Sequence, residues 1–327
     1  MNRPRRLTFG LAFPLSGRHP ATSHRGPPMV PRIDRAVMTR SKTSAIDHAG
    51  RWLLFGLLIV YTLYNLGPIF WLIISSLKSR MDLFAMPPKL IFTPDFSGYQ
   101  SVFGVGAAAG TASAVGVFDS LVNSVIVSVT GTALAVFLGT LAGYVCSRFN
   151  FLGKGDFMFF VLSTRMLPPV AVLVFYHLMF ARLGLADTRT GLILVAIFAN
   201  VGLATWIMKG FFDGVPKEVE QIAIVNGYTR MYAFTKLVLP MVKGGIAATA
   251  GFCFIFAWNE FAFASILTTT QAKTLPVKIS AASGATGIEW TQICAAGVVL
   301  IVPVLIFFYL IRKHLLMGMT FGVLGRR

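Results

Sequence analysis

Six stretches of this chain are too long and too apolar for a water-facing fold, and they constrain its class more than any other feature. Trp52 to Leu77, Ser120 to Ser147, Thr190 to Met208 and Trp290 to Ile311 contain no Asp, Glu, Lys or Arg. Phe157 to Ala181 holds a single charge, Arg165, and Gly244 to Thr270 holds a single charge, Glu260. About 20 apolar residues cross the hydrocarbon of a bilayer as a helix, and a helix satisfies its own backbone where no water can. The expected fold is an all-α membrane protein with six transmembrane helices.

Composition agrees, because 55% of the residues are hydrophobic and only 13% are charged, against about 25% charged in soluble domains. The net charge of +17 is distributed unevenly. If the N-terminus is inside, about three quarters of the 29 Lys and Arg fall on the same side of the membrane. That bias places both the N and the C terminus in the cytoplasm. It also accounts for the positive charge without a nucleic-acid partner. Cys146, Cys253 and Cys294 lie inside apolar runs without metal-ligand spacing and read as small hydrophobes.

Residues 1–50 are rich in Arg, Pro, Ser and Gly and lack an apolar period, so a disordered basic cytoplasmic tail is expected there. Arg5-Arg6 precedes a short apolar run, but Pro14 interrupts it and no small-residue cleavage site follows, which argues against an export signal. Residues 51–327 then form the membrane domain. Within it, Gly139-x-x-x-Gly143 is a spacing that lets helices approach closely. Pro168-Pro169 should break the third helix just beyond Arg165.

The longest amphipathic interruption is the segment 213–242, which contains PKEVEQIAIVNGYTRMYAFTKLVLP from Pro216 to Pro240. Pro216 can open a helix, Glu218 and Glu220 suit its positive end, and Gly227 can close it in the left-handed conformation. Val219, Ile222 and Ala223 give this helix one apolar patch. A second helix is expected from Thr229, with Met231, Phe234 and Val238 on one side and Pro240 as its stop. Two short amphipathic helices cannot bury their apolar faces alone, so they are expected to dock on something.

This segment reads Gln221-Ile222-Ala223, three residues, Gly227, nine residues, then Leu237-Val238-Leu239-Pro240. It resembles the cytoplasmic signature of permease subunits of bacterial ABC importers, Glu-Ala-Ala, three residues, Gly, nine residues, Ile-x-Leu-Pro. Gln221 stands where the signature has its acid, Ile222 where it has an alanine, and Leu237 where it has Ile; Glu220 lies one position early. The strings TRMLPP and WNEF, with Gly318-Met319-Thr320-Phe321-Gly322 near the end, resemble the carbohydrate (maltose and polyol) branch of that family.

The resemblance implies the type I ABC importer permease fold in the bacterial inner membrane. It also implies that Glu218, Glu220, Gln221, Ile222, Ala223, Asn226, Gly227, Leu239 and Pro240 seat on an ATPase subunit. The implied assembly has a sister permease, two cytoplasmic ATPase subunits and an extracytoplasmic sugar-binding protein, all in membrane lipid. The chain has no Gly-x-x-x-x-Gly-Lys loop. It therefore reads as binding no cofactor itself, with ATP and Mg used by the partner ATPases. Charges inside spans usually face a bundle interior or a watery cavity, so Arg165 and Glu260, with neighbouring Trp258 and Asn259, are the translocation-path candidates. A self-contained secondary transporter of a small polar solute is the alternative, although no half-to-half repeat supports it.

Overall fold

The structure is a computed structural model that describes residues 45–105, 117–166, 168–285 and 290–324. The greater part of the tail expected to be disordered, residues 1–44, lies outside the described residues, as does Leu167 of the TRMLPP string. Every regular element among the described residues is helical. The chain divides into two compact units, Met1–Val60 and Tyr61–Arg327. In the first, the described part is helix from Ala45 onward, so the last residues assigned to the tail join the apolar run as its opening turns. Trp52, Leu53, Leu54 and Phe55 on that stretch are exposed.

The second unit begins within helix α1 (Ala45–Ser75). Tyr61, Tyr64 and Phe70 remain exposed, whereas Ser75, Ser76 and Lys78 at the end of the helix are buried. The Ser76 hydroxyl pairs with the Tyr99 hydroxyl at 2.8 Å. The Lys78 ammonium lies 4.7 Å from the centre of the Trp71 ring. Two short helices, α2 (Arg80–Leu83) and α3 (Ser97–Phe103), shape the loop that follows.

Helices α4 (Phe118–Arg148) and α7 (Arg189–Asp213) form the centre of the unit. They run parallel, because Gly131 meets Ala196 while Gly139 meets Ala204 farther along both helices. A Cβ on Gly139 would stand 2.4 Å from the Cβ of Ala204 and 2.9 Å from its carbonyl carbon. Gly143 approaches the backbone of Lys209 as closely, so the Gly-x-x-x-Gly pair does bring two helices together. Between them in sequence lie α5 (Lys154–Ser163) and α6 (Pro169–Arg182). The third apolar run is thus two helices rather than one continuous helix, broken where Pro168 and Pro169 remove backbone donors.

Beyond α7 come α8 (Glu218–Val225), α9 (Arg230–Tyr232), a π-turn (Ala233–Val238) and α10 (Leu239–Met241). The fifth run is also interrupted. It forms α11 (Lys243–Trp258) and α12 (Ala262–Leu267), with the break at Asn259–Phe261. Helices α13 (Leu275–Ala285) and α14 (Trp290–Leu324) complete the described chain. Phe254 of α11 stacks on Phe307 of α14 with ring centres 3.9 Å apart. Val136, Ala204 and Cys253 join α4, α7 and α11 in one core.

Among the described residues, four helical stretches are long and apolar enough to cross a membrane: Gly50–Ser75, Phe118–Arg148, Arg189–Asp213 and Trp290–Lys313. A fifth is obtained if Arg230–Met241 and Lys243–Trp258, bent by 72°, count together.

Candidate functional site

The segment between α7 and α11 folds as an elbow of two short helical arms. Glu218 and Glu220 lie in the first turn of α8, where the helix dipole favours negative charge. The side-chain amide of Asn226 donates to the Ile222 carbonyl at 2.8 Å. Gly227 follows at φ 84°, a conformation that costs an ordinary residue about 1–2 kcal/mol. The Tyr228 N–H then closes the turn on the Ala223 carbonyl at 3.0 Å. Thr229 caps the second arm, its hydroxyl oxygen accepting from the Tyr232 N–H at 3.2 Å.

Pro240 does not stop that arm, as its sequence position suggested. The helix passes through it to Met241, and the chain bends at Val242 instead. The π-turn just before it explains the difference. Its wider hydrogen-bonded ring leaves the i→i−4 register in which a proline ring clashes and a missing N–H is felt.

One face of the elbow packs inward. Phe234, Val238 and Val242 are buried against Met208, Phe212 and Val215 at the end of α7. The Tyr144 ring of α4 lies over Phe234 with centres 4.4 Å apart. Ala223 is buried on the other arm. Beside it, the Tyr144 hydroxyl donates to one Glu220 carboxylate oxygen at 2.8 Å, and the Arg148 Nε donates to the other. The remaining Arg148 nitrogens donate to the carbonyls of Phe212 and Val215, each at 2.9 Å. The Ser147 hydroxyl donates to Asp213 at 2.6 Å, and Lys209 pairs with the same carboxylate.

The other face is open. Ile222, Ile224, Val225, Tyr228, Met231 and Tyr232 are exposed apolar side chains, and the rings of Tyr228 and Tyr232 stack 4.5 Å apart. Glu218, Gln221, Asn226, Gly227 and Pro240 are exposed too, and Leu239 is half-buried. Of the nine residues singled out on this segment, Glu220 and Ala223 therefore face the chain itself, and Leu239 packs in part against the same cluster as Phe234 and Val238. Tyr144, Ser147, Arg148 and Asp213 join the site without having been anticipated. Nothing local marks Arg148 as the partner of a carboxylate 72 positions away.

The second candidate group lies at the two helix breaks. The Arg165 guanidinium donates to the Ala199 carbonyl of α7 at 2.8 Å and lies 4.3 Å from the Phe256 ring centre. Glu260 accepts from the Phe263 N–H at 2.9 Å, so it caps the start of α12 and gives the break its local support. The Asn259 amide donates to Ile255 one turn back and its side chain is exposed. Trp258 differs from these three, being 2% exposed. Its indole N–H donates to the Leu300 carbonyl at 3.2 Å, inside the core between α11 and α14.

At the opposite end of α7 from the elbow, Asp187 adopts φ 53° and organises the loop before α13. Its carboxylate accepts from the N–H groups of Thr269, Thr270, Gln271 and Ala272 and from both threonine hydroxyls, at 2.9–3.1 Å. Partial burial opposes its charge, but the N–H donors of Gln271, Ala272 and Thr270 outweigh it and hold the carboxyl well below the usual carboxylate range. Asn123 of α4 donates to the Gln271 and Lys273 carbonyls and accepts from Arg189. Sequence reading did not single out this knot.

These features define a multi-pass helical membrane protein in which the polar interruption between two apolar runs is itself folded, anchored on one face and bare on the other. Residues 135–320 match the family described as binding-protein-dependent transport system inner membrane component, and the chain belongs to that family. It is a multi-pass protein of the bacterial inner membrane. A probable ABC transporter permease protein of Sinorhizobium fredii is 30% identical over 86% of this chain and 98% of its own length. A trehalose transport system permease protein of Mycobacterium tuberculosis is 31% identical over 79% of this chain and 92% of its own. Among solved structures, a bacterial ABC transporter involved in the import of the polysaccharide alginate superposes with a TM-score of 0.65. It is 23% identical over 83% of this chain and 98% of that one.

Proposed function

We propose that this chain is the permease subunit of an ATP-driven importer that moves a carbohydrate or polyol across the inner membrane. Family membership and relatives such as the trehalose permease and a diacetylchitobiose uptake permease of Streptomyces coelicolor support this reading. The chain crosses the membrane six times, with the pairs α5–α6 and α11–α12 as broken spans and both termini in the cytoplasm. ATP and Mg are handled by two partner ATPase subunits, and cargo arrives from an extracytoplasmic binding protein. A sister permease completes the pathway.

The observation that carries this reading is the open apolar face of the elbow. Ile222, Val225 and Met231 are exposed on arms whose opposite faces are fixed. On the proposed topology they point to the cytoplasm, where lipid cannot cover them and an ATPase subunit can. The path then runs along α11, where Phe252, Phe256 and Asn259 share an exposed face ending beside Glu260. Arg165 stands over one of its rings. Aromatic faces and polar tips suit the apolar faces and hydroxyls of a sugar.

Co-purification of the assembled permease pair with its ATPase subunit tests the docking. A Val225→Glu variant should reduce ATPase capture at least tenfold while the permease pair stays intact. Full capture by that variant would move the docking surface elsewhere.

A further inference from the structure

We propose that Arg148 is the positioning residue of the elbow: it locks the ATPase-docking arm to the ends of α4 and α7, so that the arm and those two helices move as one body. This rests on the docking reading given above and extends it inward, from the face an ATPase touches to the contact through which displacement must pass.

The geometry carries the step. The side chains of Arg148 and Glu220 are 6% and 13% exposed. A charge pair so enclosed is unfavourable unless its remaining donors and acceptors are satisfied, and here they are. Arg148 uses Nε for Glu220 and its two terminal nitrogens for the carbonyls of Phe212 and Val215. Those carbonyls belong to the last turn of α7 and the residues just past it. Helix ends carry partial negative charge and leave carbonyl capacity unfilled; the Phe212 carbonyl accepts from the Val215 N–H at 3.1 Å and has a second lone pair for Arg148. A planar five-donor fork can meet a carboxylate and two carbonyls at once, and a lysine ammonium cannot hold the same geometry. One guanidinium thus ties the end of α4, the end of α7 and the first turn of α8.

Two neighbours stiffen the joint. Tyr144, one turn before Arg148, donates to the second Glu220 oxygen at 2.8 Å. Ser147 ties α4 to Asp213 of α7 at 2.6 Å, and Lys209 holds that carboxylate from one turn back. Helix α8 has only 8 residues, too few to keep a helix or a fixed direction unaided. Its pose is set by what grips it, and the grip is polar and directional at Glu220. A push on Ile222 or Val225 is then delivered to α4 and α7 instead of being absorbed at the turn around Gly227.

The test is a mutant cycle in the complete permease pair, reading the affinity for the ATPase subunit together with the amide exchange of residues 218–227. Arg148→Gln and Glu220→Gln should each weaken ATPase binding about tenfold and speed exchange in α8, and the double variant should be no worse than either alone. Arg148→Lys should recover part of the loss. The melting temperature of the double variant, which leaves no buried charge unpaired, should stay within a few degrees of the parent, which separates a lost pose from a lost fold. Multiplicative losses in the double variant would overturn the proposal, as would unchanged affinity in Arg148→Gln or a loss in that variant which Glu220→Gln does not share. Failure of the docking reading looks different: Val225→Glu would then bind the ATPase as tightly as the parent, whatever the Arg148 variants do.

Discussion

Single residues in this chain separate into those that hold the fold and those that face outward, and burial decides between them. Trp258 and Asn259 are adjacent, yet Trp258 fills the core against Phe254 and Leu300 while the exposed Asn259 bonds back to Ile255 of its own helix. Trp258→Ala should destabilise the protein by about 3–5 kcal/mol, as removal of a buried aromatic does, whereas Asn259→Ala should cost less than about 0.5 kcal/mol. Thermal unfolding in detergent compares the two directly. Asp187 offers a pH test. Its folded pKa is depressed by the N–H donors around it, so its contribution is complete above the ordinary carboxylate range near pH 4 and fades as pH falls through and below it. The parent should lose more stability between pH 6 and pH 3 than Asp187→Ala does, and equal losses would remove Asp187 from the account.

At the scale of elements, what the sequence made legible was whatever a single residue dictates locally. Pro168 and Pro169 announced the break in the third run, Gly227 announced its left-handed turn, and Thr229 announced the start of the second arm. The break at Asn259–Phe261 carries no proline and was missed, because its support is the Glu260 cap on α12. The helix through Pro240 was missed because the π-turn that accommodates it is visible only in the backbone. The pairing of Arg148 with Glu220 was illegible for a third reason, the long stretch of chain between them. The α4–α7 contact was marked by its glycines, and it gives an element-scale prediction. Gly139→Ala forces a Cβ against the backbone of Ala204, so the helices must part, at a cost of about 1–3 kcal/mol. A melting temperature equal to the parent would show that the contact is looser than described.

At the scale of the whole molecule, one pair of parallel helices, α4 and α7, links the two polar sites of the second unit. At one end of α7 the Asp187 knot fixes the loop before α13, and at the other end Asp213 and Arg148 grip the elbow. The exposed apolar flanks, Tyr61 and Tyr64 on α1 and Leu305 and Leu310 on α14 among them, are those expected of a chain whose neighbours are lipid and other subunits. The direct measurement places a photo-crosslinking amino acid at Val225 in the intact cell membrane and identifies what it captures. The account predicts a covalent product with the importer's ATPase subunit, absent when the same residue is placed at the buried Phe234. Capture of an extracytoplasmic protein from Val225, or of lipid alone, would contradict it.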